Sequence, residues 1–122
     1  MAEALRLDPP DESDLPALHR ICSDPRVWTH YPSLRHTDPG TTRAMLEDWR
    51  AQWRTDGLGY WVMRVDEDVV GYGGCVARDD VWNLGYRLAP ASWGNGYASE
   101  LALAAVSAAQ QVAPCAPVTG RV

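Results

Sequence analysis

Hydrophobic and polar positions switch between strand-like and helix-like periods along the chain, and each switch marks an element. From Ala2 to Asp8 the side chains alternate, and Pro9-Pro10 ends the run, which predicts a strand. Asp14 is placed to cap a first helix with Pro16 in its opening turn; Leu15, Leu18, His19 and Cys22 share one face, and Asp24-Pro25 stops it. Residues 26–37 read as a loop with room for one short helical turn. Asp38 caps a second helix that opens on Pro39 and ends at Gly57, with Met45, Leu46, Trp49 and Trp53 at helical spacing. Three strands follow as a meander: Tyr60 to Val65, Val69 to Arg78 and Val81 to Leu88, joined by turns at 66–68 and Asp79-Asp80. Gly73-Gly74 inside the second of these marks a bulge, a close backbone approach or a packing accommodation. An alanine-rich helix runs from Gly96 to Val112 and stops before Pro114, and a last strand starts at Pro117. The order is β-α-α-β-β-β-α-β, an α/β (α+β) domain with a mixed, mostly antiparallel sheet flanked by helices.

Composition narrows what such a domain does. At 122 residues it is a single domain, 1–122, long enough to bury a core. All eleven basic residues are arginine, scattered in a chain of net charge −5, so no basic stripe for nucleic acid exists. No apolar run has the length of a membrane span and the N-terminus lacks a signal-peptide pattern, so a cytoplasmic location is expected. Cys22, Cys75 and Cys115 are far apart with no CxxC pair, and neither a disulfide framework nor a metal site is indicated.

The chemistry concentrates in the turn Trp93-Gly94-Asn95-Gly96-Tyr97-Ala98. It joins a strand to a helix, and a further strand makes the unit a parallel crossover. Gly94 and Gly96 let the backbone turn tightly and approach a ligand without an intervening Cβ. The helix behind them presents unpaired N–H groups and the positive end of its dipole, which together suit a phosphate. An ordinary tight strand-to-helix connection is the competing reading. Neither GxxxxGK[ST] nor GxGxxG is present, which excludes the commonest nucleotide loops.

The run from Leu84 to Glu100, with Gly85-Tyr86-Arg87-Leu88 followed by Trp93-Gly94-Asn95-Gly96-Tyr97-Ala98-Ser99-Glu100, resembles the central motif of the GCN5-related N-acetyltransferase (GNAT) superfamily. It is most similar to the RimJ/RimL-type branch, whose members acetylate ribosomal-protein N-termini, and the opening segment and the strand Val69-Val70-Gly71-Tyr72-Gly73-Gly74 fit that branch too. The resemblance implies acetyl-coenzyme A as co-substrate. Its pyrophosphate would meet the backbone of Trp93, Gly94, Asn95, Gly96, Tyr97 and Ala98, and its pantetheine arm would pair with Tyr86, Arg87 and Leu88. Two departures stand out: Ala91 replaces the usual Arg or Gln three residues before the first glycine, and the final helix and two strands of the family pattern do not follow. The resemblance therefore implies a C-terminally incomplete domain, with self-association as one way to cover a sheet edge.

Acetyl transfer requires a neutral amine, a place for the oxyanion and a proton for the leaving sulfur. No strong base is evident. Asn83 cannot titrate, Asp79 and Asp80 read as a solvated turn, and Glu100 complements the helix dipole. His30 is the weak catalytic candidate because its pKa range suits the task. Trp28, His30 and Tyr31 form the expected acceptor wall, on the family's use of this loop, with plain packing as the alternative for the two aromatics. At pH 7 roughly one in seven α-amines is neutral against about one in 2,500 lysine side chains. The expected acceptor is therefore a protein or peptide N-terminus or a small amine-bearing molecule; a non-catalytic acyl-CoA-binding or self-associating fragment is the alternative.

Overall fold

The computed structural model describes residues 5–78, 81–113 and 118–120. Predicted features at Ala2–Ala4, Asp79-Asp80, Pro114–Pro117 and Arg121-Val122 lie outside the described residues. Strand β1 (Leu5–Asp8) leads into helix α1 (Leu15–Ser23) and helix α2 (Pro39–Asp56). Strands β2 (Tyr60–Val65), β3 (Asp68–Arg78) and β4 (Val81–Leu88) follow, then helix α3 (Tyr97–Val112) and strand β5 (Val118–Gly120). They form one sheet in the order β1-β2-β3-β4-β5, antiparallel throughout except that β4 and β5 run parallel. The parallel pair follows from the crossover through α3.

Local chemistry sets the helix ends. The Asp38 carboxylate accepts the Gly40 N–H at 2.9 Å, Pro39 opens α2, and Gly57 closes it at φ 71°. Asp14 behaves differently from expectation. Its backbone is already helical and its side chain makes no cap bond to α1. Asp11 caps a short 3-10 turn instead, and the buried Asp14 carboxylate accepts the Asp11 N–H and holds Arg64 at 2.7 Å. The expected short turn in the 26–37 loop is a 3-10 turn at Pro32–Leu34.

The sheet separates two apolar layers. Leu18, Ile21 and Cys22 of α1 and Leu46 and Trp49 of α2 pack on Val62 and Tyr72. On the other face, Leu101, Ala105 and Ala109 of α3 meet Met63, Cys75 and Trp82. Small side chains bring α3 close, and Gly73 brings it closer still. A Cβ there would stand 2.6 Å from each of Leu101 Cδ2, Tyr86 Cβ and the Gly85 oxygen. Gly73 therefore serves a close approach. The strand keeps its register through Gly73 and Gly74, and the irregularity lies between Met63 and Arg64 of β2.

Candidate functional site

Strand β4 is paired on one side along its whole length, and on the other only at its start. β5 registers against Trp82, Asn83 and Leu84, and among the described residues no strand continues the pairing past Leu84. The Ala89 N–H donates to the Val70 oxygen at 2.8 Å, so Ala89 faces β3. Alternation then turns the backbone groups of Tyr86 and Leu88 the opposite way, toward the open side. A groove of about 170 Å³ runs there between Val27, Tyr86, Leu88 and Trp93. The Tyr86 and Leu88 carbonyls there accept from Arg87 Nη1 and the Trp93 indole, which leaves the N–H groups of this edge to pair with another extended chain.

The groove leads to the turn ahead of α3. Gly94 and Gly96 hold φ of 83° and 77°, the left-handed conformations that glycine adopts without strain. No described atom lies within 4 Å of a Cβ built at either, so both face open space. The Asn95 amide braces the turn by donating to the Ser92 oxygen at 3.0 Å. Among the described residues no side chain caps α3, in contrast to α2. Its first N–H groups thus remain available to an anion, supported by the helix dipole. On one flank of the turn a polar hollow carries Asp66 and Asp68 beside Ser92 and Asn95, which disfavours a phosphate on that side. The exposed Glu100 sits in the first turn of α3, and Ala91 is exposed.

Across β4 from α3 lies a cavity of about 270 Å³. Its wall is largely aromatic: Trp28, Trp49, Tyr60 and Tyr72, with Met45 and Leu34, closed by the Gly85–Arg87 stretch of β4. Trp49 centres 5.2 Å from Tyr60 and 4.9 Å from Tyr72. Tyr72 is buried, and burial with the nearby Cys22 pushes its phenol well up, so it stays protonated at neutral pH. Burial likewise pushes the Cys22 thiol up to about 11, against a hydrogen bond to the Tyr72 hydroxyl. Arg87 projects from β4 over Trp28, with its guanidinium carbon 4.9 Å from the ring centroid.

Tyr86 and Arg87 border both the groove and the cavity, so the two spaces meet at this pair of residues. Of the three expected acceptor-wall residues, only Trp28 lines the cavity; it is buried, and its indole donates to the Ile21 oxygen. His30 is exposed and Tyr31 is half exposed, and neither borders the cavity. Trp49 was expected in the core and contributes to both core and cavity. Tyr60 and Tyr72 carried no sequence signal beyond strand propensity, since an inward aromatic reads the same against a core or a cavity. Arg87 stood out only for its backbone.

A profile of the acetyltransferase (GNAT) domain matches residues 4–120. Solved structures share the fold. An acetyltransferase from Agrobacterium tumefaciens str. C58 superposes with a TM-score of 0.74 at 24% identity, covering 91% of this chain and 66% of that one. A Bacillus anthracis GNAT-family acetyltransferase gives 0.73 at 22%, covering 91% and 65%. RimL, a ribosomal L7/L12 α-N-protein acetyltransferase in complex with coenzyme A, gives 0.71 at 20%, covering 89% and 64%. The chain thus spans about two thirds of the length of these proteins. With the profile match running almost end to end, the chain belongs to the GNAT acetyltransferase domain family.

Proposed function

We propose that this domain takes acetyl-coenzyme A and transfers its acetyl group to a primary amine, with an N-terminal α-amine of the RimJ/RimL type as acceptor. The observation that carries this reading is the open edge of β4 at Tyr86–Leu88 running into the uncapped start of α3. An extended arm bonded to that edge and a pyrophosphate held by the amides of Trp93 to Ala98 are two parts of one ligand. Coenzyme A has both parts, and RimL is described in complex with it.

The reacting carbonyl then falls near the Tyr86–Arg87 junction, where groove and cavity meet. The amine nitrogen attacks the thioester carbonyl carbon, a β4 N–H stabilises the oxyanion, and the C–S bond breaks. The net reaction moves one proton from the amine to the departing sulfur. Among the described residues no histidine or carboxylate lines the cavity, and Tyr72 is held neutral. An acceptor that arrives unprotonated needs no base before the attack, and the proton it sheds afterwards goes to the departing sulfur, which supports an α-amine over a lysine side chain.

The test is acetyl-CoA-dependent thiol release with a peptide bearing a free α-amine, beside the same peptide N-terminally blocked and carrying lysine. Products identified by mass spectrometry as α-acetylated are expected. Selective lysine acetylation would overturn the α-amine assignment. The baseless cavity also fits a second reading, an acyl-CoA-binding domain without turnover, and calorimetric binding of coenzyme A with no thiol release would select it.

A further inference from the structure

We infer that Arg87 is a carboxylate anchor for the acceptor, and that the acceptor is an α-amine borne on an apolar residue with a carboxylate no more than one residue away. The inference rests on the cavity being the acceptor site, as proposed above. Arg87 is registered opposite Tyr72, on the face of the sheet that carries α1 and α2. Its Nη1 donates to the Tyr86 oxygen at 2.8 Å. Its Nε is buried and has no hydrogen-bond partner among the described residues. Arg6, Arg26, Arg50 and Arg64 each pair with an aspartate or glutamate, yet no described carboxylate pairs with Arg87. The chain thus leaves open a partly buried guanidinium that has the most to gain from an anion.

Geometry favours a guest in that role. A guanidinium resting on an indole keeps N–H groups at its edge, and with Nη1 committed to Tyr86 the Nε–Nη2 side is the one left for a planar oxygen pair. Among the described residues, Arg87 is the only charged one on the cavity wall. Around it, Trp49, Tyr60, Tyr72 and Met45 offer apolar faces suited to an aliphatic or aromatic side chain. The volume of about 270 Å³ matches one amino-acid residue and falls just below the ~300–1,000 Å³ of drug-sized sites. Because Arg87 also borders the groove, a carboxylate bound to it lies close to where the acetyl group would arrive. A free apolar α-amino acid supplies this chemistry through its own carboxylate. A peptide with an apolar first and an acidic second residue supplies it through a side chain.

The test uses binding rather than turnover. Trp28 and Trp49, two of the six tryptophans, line the cavity, so a change in intrinsic tryptophan fluorescence reports occupancy. Phenylalanine is titrated against phenylalaninamide, and Phe-Glu-amide against Phe-Gln-amide, on the wild type and on Arg87→Met. In the wild type, the carboxylate-bearing member of at least one pair is expected to bind at least ~10-fold tighter. The pair that shows the difference identifies the source. In Arg87→Met the difference is expected to vanish. Equal binding within both pairs, no binding of any ligand, or a preference surviving in Arg87→Met would each overturn the inference. If Arg87→Met fails to fold, the wild-type pairs still decide, with Arg87→Lys as the second variant, expected to retain only part of the preference. Coenzyme A binding is measured separately by calorimetry. Its loss with the preference intact sinks the transfer reading alone, and its presence without the preference sinks the carboxylate anchor alone.

Discussion

The Trp93 indole N–H donates to the Leu88 carbonyl oxygen across 3.1 Å, tying the glycine turn to the end of the open strand edge. Leu88 faces away from β3, so this bond sets the height of the turn over the groove. Trp93 is otherwise half exposed and adds little to the core. A Trp93→Phe variant keeps a ring and loses the donor. Its stability should change by less than about 1 kcal/mol, because one partly solvated hydrogen bond is worth about that much. Coenzyme A affinity measured by calorimetry should fall about fivefold as the turn loosens. Unchanged affinity would show that the turn is held without this bond.

Gly73 and Gly94 separate packing from ligand approach. A Cβ on Gly73 collides with the Gly85 oxygen, Leu101 and Tyr86, so Gly73→Ala must push α3 off the sheet. Overpacking of that kind costs about 1–3 kcal/mol, a fall in Tm of roughly 10 °C. Gly94→Ala meets no described atom within 4 Å but must hold φ 83°, at a cost of about 1 kcal/mol. Its Cβ points into open space, where the proposed pyrophosphate would lie. Thermal melts should therefore separate the two variants, with Gly73→Ala the less stable, while coenzyme A titration should show Gly94→Ala losing more affinity than its small stability change accounts for.

These two glycines also show what the sequence discloses. Helix ends were legible because their chemistry is local: Asp38, Pro39 and Gly57 bracket α2 within one chain segment. The turn at 93–98 was legible for the same reason, since two nearby glycines before a helix demand a special backbone. Partners distant in sequence were not legible. Nothing near Asp14 announces Arg64, fifty positions on, so its carboxylate read as a helix cap. Nor does a sequence distinguish a cavity from a core. Trp49 and Tyr72 follow the buried-face pattern, and only the assembled sheet leaves space beside them.

The Asp14–Arg64 pair is the next testable element. Arg64 Nη2 lies 2.7 and 2.9 Å from the two Asp14 oxygens, and its Nε lies 2.9 Å from Asp8. Burial opposes the charge on Arg64, and the hydrogen bonds it donates to Asp14 and Asp8 overcome it. Asp14→Ala strands a largely buried guanidinium and frees the Asp11 N–H. Breaking such a pair on one side costs about 3–5 kcal/mol. Urea denaturation should register that loss, and replacing Arg64 with Met in the same chain should recover part of it. A loss below about 1 kcal/mol would mean that Asp8 alone holds Arg64, as in exposed pairs.

A buried hydroxyl couples two histidines and gives stability a pH dependence of known sign. His19 Nδ1 and His36 Nδ1 lie 2.7 and 2.8 Å from Thr42 Oγ1, joining α1, the 26–37 loop and α2. The single hydroxyl proton can be donated to one ring while the oxygen accepts from the other. Protonating both rings turns both into donors and places two charges beside one buried oxygen. Burial, then the charge of His19, lowers the pKa of His36 below its ordinary value of 6.5. A base with a lowered folded-state pKa binds fewer protons folded than unfolded, so stability rises with pH in that window. The contribution is complete above 6.5 and is lost as the pH falls through the lowered folded value. Urea midpoints measured between about pH 7.5 and about pH 5 should therefore drop toward acid, with the slope set by linkage. His36→Gln keeps a polar group but cannot titrate, and its midpoints should be flatter over the same range. A wild-type slope that survives this substitution would place the titrating group elsewhere.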